Sequence, residues 1–111
     1  RTSKMKVRKI REILRKNKDI VLIDGMETKL NSSLLSNEED FVLVDGDESY
    51  AFTCVNCERE NEFYFFRYQL EDQYFEWTGN YDSWGGITLD STSNVEEVRP
   101  VQKTITVWKI L

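Results

Sequence analysis

A chain of 111 residues, 40% hydrophobic and 13% aromatic, has the apolar content for one folded core and is too apolar for a disordered tail. Its 15 basic and 20 acidic residues leave a net charge of −5, and it contains no histidine. That absence argues against His-based acid–base or nucleophilic catalysis and removes the commonest metal ligand, while no apolar run approaches the roughly 20 residues that cross a bilayer.

The charge is unevenly placed. Residues 1–18 hold nine basic side chains and one acid, Glu12, for +8, which leaves −13 on residues 19–111. The chain therefore reads as a single domain, 1–111, made of a basic amphipathic helix over 4–17 and an acidic, β-rich body over 19–111. In that helix Val7, Ile10 and Leu14 fall on one stripe at 3/4 spacing with Ile13 at its edge, and the cations take the other face. Asn17 and Asp19 end it. The basic N-terminus has no apolar stretch behind it, so it does not read as a secretory signal and a cytoplasmic address is expected.

The body opens on a hairpin. Asp24-Gly25 between Ile20–Ile23 and Met26–Leu30 supplies the positive φ angles of a type I′ turn. A polar connection follows, with a helical turn around Leu34-Leu35. "FVLVDG" then echoes "IVLIDG" twenty-one residues on, so Asp45-Gly46 is expected to repeat the same turn chemistry. Beyond it Tyr50, Phe52 and Cys54 alternate onto one face. "EFYFFRYQL" is a strand by propensity, with Tyr64, Phe66, Tyr68 and Leu70 on one face and Phe63 and Phe65 on the other. Apolar residues on both faces predict a central strand covered on two sides. Glu71-Asp72-Gln73 turns the chain, and Tyr74–Thr78 returns as a strand. A loop over Gly79–Gly86, a short Ile87–Leu89 segment and a polar break at Ser91–Asn94 come next, and Lys103–Ile110 closes as the last strand. The expected fold class is α+β, one N-terminal helix packed on a mostly antiparallel sheet of five or six hairpin-linked strands.

The chemistry on offer is sparse. No phosphate-binding glycine motif is present. Cys54 and Cys57 form a lone Cys-x-x-Cys, which is half of a zinc site and lacks the helix N-terminus that activates a redox thiol. Two reduced, partly buried thiols explain it better. Asp45, Asp47 and Glu48 lack the spacing of a calcium loop. Glu38-Glu39-Asp40 reads as a solvated connection, and with 20 acids in the chain close carboxylate pairs carry no catalytic specificity. The expectation is no enzyme, no metal and no cofactor. The basic helix could grip phosphates, but the −13 of the rest opposes a polyanion, so docking on the protein's own acidic surface, or simple solubility, is the better use. The stretch Tyr74–Asp90 holds Tyr74, Phe75, Trp77, Tyr81 and Trp84, which cannot all share one face of a strand. Either Tyr81 or Trp84 reaches the surface, rimmed by Glu76, Asp82 and Asp90 as in a protein–protein contact, or the loop folds back and tucks Trp84 against the core.

Residues 74–86 and 95–110, together with the opening "IREILRKNKDIVLIDG", resemble small accessory proteins of tailed phages and prophages over about half the chain. The resemblance implies an acidic protein that works by sticking to a host protein, as anti-CRISPR proteins occupy nucleic-acid channels of defence enzymes. No residue matches a known inhibitor one-to-one, so the target is open. The reading that follows is an inhibitor that binds the basic surface of a nucleic-acid-handling or defence protein in the host cytoplasm. Glu76, Tyr81, Asp82 and Trp84 are the expected anchors, with Asp45, Asp47 and Glu48 as secondary charges, and the inhibitor is expected to be a monomer or homodimer. The alternative is a nucleic-acid binder using the N-terminal helix. A redox protein built on the two cysteines and an assembly component pairing through an edge strand are further possibilities.

Overall fold

The structure, a computed structural model, describes residues 4–89, 91–92, 94–101 and 108–111. Its first regular element is a helix, α1, over Val7–Lys16, shorter at the front than the 4–17 expected because Lys6 is extended. Ahead of it, Met5 is tied down instead: its N–H donates to Gln73 Oε1 at 2.7 Å and its carbonyl accepts from Gln73 Nε2 at 2.8 Å. Ile10, Ile13 and Leu14 are buried to 2% exposure or less, each contributing about 1.5–3 kcal/mol by transfer. The helix stops in a Schellman arrangement: Asp19 N–H donates to Leu14 O and Lys18 N–H to Arg15 O, with Lys18 left-handed at φ 53°.

The strands that follow are β1 Ile20–Ile23, β2 Met26–Lys29, β3 Phe41–Asp45, β4 Glu48–Glu60, β5 Phe63–Leu70, β6 Gln73–Asp82, β7 Gly86–Thr88 and β8 Val95–Val98, with a one-turn helix, α2, at Ser32–Ser36. They form one sheet in the order β2-β1-β3-β4-β5-β6-β7, with β8 also on β6. All pairings among the described residues are antiparallel. The α+β class and the helix-on-sheet packing therefore hold, but the sheet has eight strands among the described residues where five or six were expected. The excess comes from β7 and β8, both short: Ser91–Asn94 reads as a break, yet Val95–Val98 after it pairs with Tyr74–Trp77. The proposed closing strand Lys103–Ile110 falls largely outside the described residues.

Turn chemistry set the register. Ile23 faces Met26 and both loop residues have positive φ (Asp24 51°, Gly25 79°), the type I′ pattern that was expected. The echo does not repeat it. Asp45 faces Glu48, so the loop is Gly46-Asp47 with positive φ at Gly46 alone, the type II′ pattern. Gln73 belongs to β6 and is buried, so the β5–β6 turn is Glu71-Asp72 and not Glu71–Gln73.

β4 holds the fold together. Its first part pairs with β3 and its longer remainder with β5, and a bulge between Cys54 and Asn56 interrupts the β4–β5 ladder. Phe52 from β4 joins Phe41, Tyr68, Phe75 and Trp77 in the core, with Phe41–Phe52 stacked at 5.1 Å and Trp77 edge-on to Phe41, Phe52 and Tyr68 at 5.8–6.0 Å. Trp77 Nε1 donates to Thr92 O at 2.9 Å, which satisfies the one polar group this ring buries. β5 is covered on one face only among the described residues. Tyr64, Phe66, Tyr68 and Leu70 turn inward as expected, but the other face carries exposed Phe63 and a half-buried Phe65 under the Arg67 guanidinium. Phe63 and Phe65 are therefore not a second core face.

Candidate binding surface at the distal end of the sheet

Of the seven residues singled out as partner-binding, three come together. β6 runs on to Asp82, so Gly79–Asp82 are strand and the expected Gly79–Gly86 loop shrinks to Ser83–Gly85. Asp82 Oδ1 accepts from Trp84 N–H at 2.6 Å and Gly85 N–H at 3.1 Å, and Gly86 closes the turn at φ 74°. Those two backbone bonds hold the Asp82 carboxyl below its ordinary pKa, so it stays ionised. They also project Trp84 from the tip at 97% exposure. Tyr81 is 40% exposed, its N–H donating to Glu62 O at 2.6 Å, which brings the β6–β7 tip beside the β4–β5 turn.

The other four are elsewhere and largely engaged. Alternation along β6 sends Glu76 to the face opposite Tyr81, where it accepts from Arg67 Nε at 2.8 Å while Glu58 takes Arg67 Nη1. Asp45 pairs with Lys9 at 3.2 Å and Lys16 at 3.3 Å of α1, and these two lysines hold its pKa down. Glu48 accepts the Tyr50 hydroxyl, a bond that pushes that phenol up to about 12. Asp47 is exposed at the turn tip. Glu48 and Glu60 bound β4, so the Asp45 group and the Tyr81 group sit at opposite ends of it. At about 3.3 Å per residue that is on the order of 35–40 Å along the strand, too far for one small contact.

The acidic body does receive the basic helix, as its charge predicts: Lys9 and Lys16 meet Asp45, and Arg11 Nη2 meets Glu96 Oε1 and Val95 O, each at 2.9 Å. Cys54 and Cys57 sit on the same side because the bulge resets the alternation, and both pack half-buried against the core as free thiols. Burial, with Glu38 second, pushes both pKa values up, the reverse of what an attacking thiolate needs. A cleft of about 740 Å³ near the start of α1 is lined by both signs of charge, Lys4, Lys6 and Arg8 against Glu12, Glu48 and Glu71.

The surface has members that sequence reading passed over. Arg59 faces Tyr64 across the β4–β5 ladder, and its guanidinium lies 5.5 Å from the Tyr64 ring centroid and 5.0 Å from that of Tyr81. Tyr64 and Tyr81 are themselves 6.3 Å apart. Gly79 lies between: a Cβ there would come within 3.2 Å of Phe66, Ile87 and the Thr88 carbonyl. The signal for Arg59 was available only through the Asn61-Glu62 turn, since Glu60 facing Phe63 places Arg59 opposite Tyr64. No protein-family model matches the chain, and comparison with curated proteins and with solved structures finds no match.

Proposed function

We propose that this chain is a non-enzymatic protein-binding module that docks through the distal end of its sheet. The observation that carries the reading is Trp84, held at the hairpin tip by Asp82 with nearly all of its surface in water. A large ring in water, three residues from Tyr81 in the same hairpin, together with Arg59 over the Tyr81 ring, has the composition of an interface hot spot, rich in Trp, Tyr and Arg. In its specific form the reading is a phage-encoded inhibitor of a host nucleic-acid-handling or defence protein, acting in the host cytoplasm. The −13 carried by residues 19–111 supports it, because such a body is steered toward basic clefts. Glu76 and Asp45 contribute to that field but are spent on internal pairs. The contact itself falls to Tyr81, Asp82 and Trp84.

The test is capture of partners from a bacterial host, followed by affinity measurement with Trp84→Ala and Asp82→Lys. Loss of binding by about tenfold or more in Trp84→Ala is expected. Unchanged affinity of every captured partner in both variants would remove the site.

Nucleic-acid binding by α1 is the second reading, favoured by Arg8, Arg15 and Lys18, which pair with no acid among the described residues. Filter binding at low salt decides it, since a phosphate-gripping helix retains DNA or RNA there.

A further inference from the structure

Resting on the protein-binding reading, we propose that Arg59 is a receptor for a partner carboxylate at the centre of the docking surface. The guanidinium is held from three sides. Tyr64 and Tyr81 offer their ring faces, and Nε donates to Asn61 O at 2.9 Å. That bond occupies one of the five N–H donors of the group and leaves the Nη1/Nη2 fork without an acid among the described residues. Arg67 of β5 and Arg11 of α1 differ. Arg67 has both its Nε and Nη1 on glutamates, and Arg11 has Glu96 and a carbonyl. Arg59 stays unpaired although Glu58 and Glu60 are its neighbours in sequence. Alternation sends those two to the opposite face, beside Phe65 and Phe63, and Glu58 is taken by Arg67. On its own face Arg59 meets tyrosines.

A guanidinium fixed flat in this way has lost most of the rotamer freedom that an exposed arginine forfeits on binding. Its fork matches a carboxylate or a phosphate in two-point contact. The surroundings choose between them. Glu62 and Asp82 are exposed at the turns that flank the platform, and a polymer of phosphates would meet both. A protein face with one acid among basic side chains meets Arg59 with the acid and the rim carboxylates with its cations. Tyr81 and Trp84 supply the apolar contact that excludes water from the pair.

The test begins with selection of binders to the full chain from a random peptide library. Affinities of the tightest peptides are then measured for Trp84→Ala, Arg59→Lys and Arg59→Gln. The expected peptides carry an Asp or Glu flanked by Lys or Arg. Both Arg59 variants weaken them about tenfold or more, the lysine because it keeps charge but loses the fork. Changing the peptide acid to its amide gives the same loss, and the two changes together cost no more than one, the signature of direct coupling. The Arg59→Lys variant must unfold at the same denaturant midpoint as the parent, which it is expected to do because the residue is exposed. Peptides that depend on Trp84 but carry no acid, or ignore Arg59, overturn the receptor and leave the docking surface standing. A selection that yields no peptide sensitive to Trp84→Ala or to either Arg59 variant overturns both. Retention of a single-stranded oligonucleotide through Arg59 assigns the fork to phosphate and overturns the carboxylate.

Discussion

β6 passes through two regions built from the same residue types and put to opposite use. Between Gln73 and Trp77 its inward residues are sealed: Phe75 and Trp77 have no exposure, and Gln73 is buried against Met5. From Tyr81 the same face opens to water. The difference lies in the neighbours, not in the strand. On the edge of β6 away from β5, β8 flanks the first half and α1 lies against β8 and β3, whereas the three residues of β7 flank the second half. Aromatic content alone does not mark a core or an interface. The element that covers each ring decides which it becomes.

The largest expected effect tests that contrast on its two tryptophans. Trp77→Ala removes a fully buried ring from three edge-on contacts and leaves Thr92 O without its donor, so a loss of about 3–5 kcal/mol is expected in urea unfolding. Trp84→Ala changes stability by no more than about 0.5 kcal/mol, because its ring is almost fully solvated. Equal losses would mean that the tip is packed, and would erase the distinction between the two regions.

Gly79 sits where the regions meet. Gly79→Val must push aside the Phe66 ring, Ile87 and the Thr88 carbonyl, all within 3.2 Å of the first added carbon. Overpacking of that kind costs about 1–3 kcal/mol. The displaced Phe66 stacks on Tyr64, so the near-UV signal of the aromatic platform should change along with the unfolding midpoint. A variant as stable as the parent, with an unaltered aromatic spectrum, would show that the end of the sheet yields freely.

What was legible in the sequence follows the range of the forces involved. The helix stripe and the Asp24-Gly25 turn are set by residues within four positions of one another, and both formed as read. The second turn moved by one residue, to Gly46-Asp47, because a type II′ loop needs glycine at its first position, and no local pattern reveals that Asp45 pairs with Lys9 and Lys16, about thirty positions away. The same limit hid β8, whose four residues become a strand only by pairing with β6. It also hid Arg59, whose role depends on Tyr64 and Tyr81 arriving beside it. Tyr81, Asp82 and Trp84 were legible because five large rings in one stretch cannot all be inside. Glu76 was misplaced with them because its place on the opposite face follows from the true length of β6.

A smaller effect separates the helix end from the distal end by charge. Asp45 has its pKa lowered by Lys9 and Lys16, so its contribution is present above the ordinary carboxylate range and is lost as pH falls through the depressed folded value. In Asp45→Asn the dependence of unfolding free energy on pH should flatten in that acid window and be unchanged near neutrality. Added salt should shrink the difference between parent and variant, since the lysines are exposed. Asp82→Asn bears on the other end: its carboxylate bonds only the local backbone, so its acid dependence should survive added salt better.

The smallest effect compares the two turns that bound β5. At the distal turn Asn61 takes the left-handed conformation at φ 57°, and at the opposite turn Glu71 takes it at φ 55°. Asn tolerates that region through local hydrogen bonding of its short side chain, whereas a residue such as Glu has its Cβ against the following carbonyl at a cost of about 1–2 kcal/mol. Glu71→Asn recovers part of that cost without the unfolded-state entropy that Gly brings, so a gain of a few tenths to about 1 kcal/mol is expected. The reciprocal Asn61→Glu should lose a similar amount by raising the strain at the distal turn, next to Arg59. If the exchange moved both turns in the same direction, the side chains and not the backbone would be setting their stability. The Arg59 Nε–Asn61 carbonyl bond would then matter more to the distal turn than the conformation of Asn61 itself.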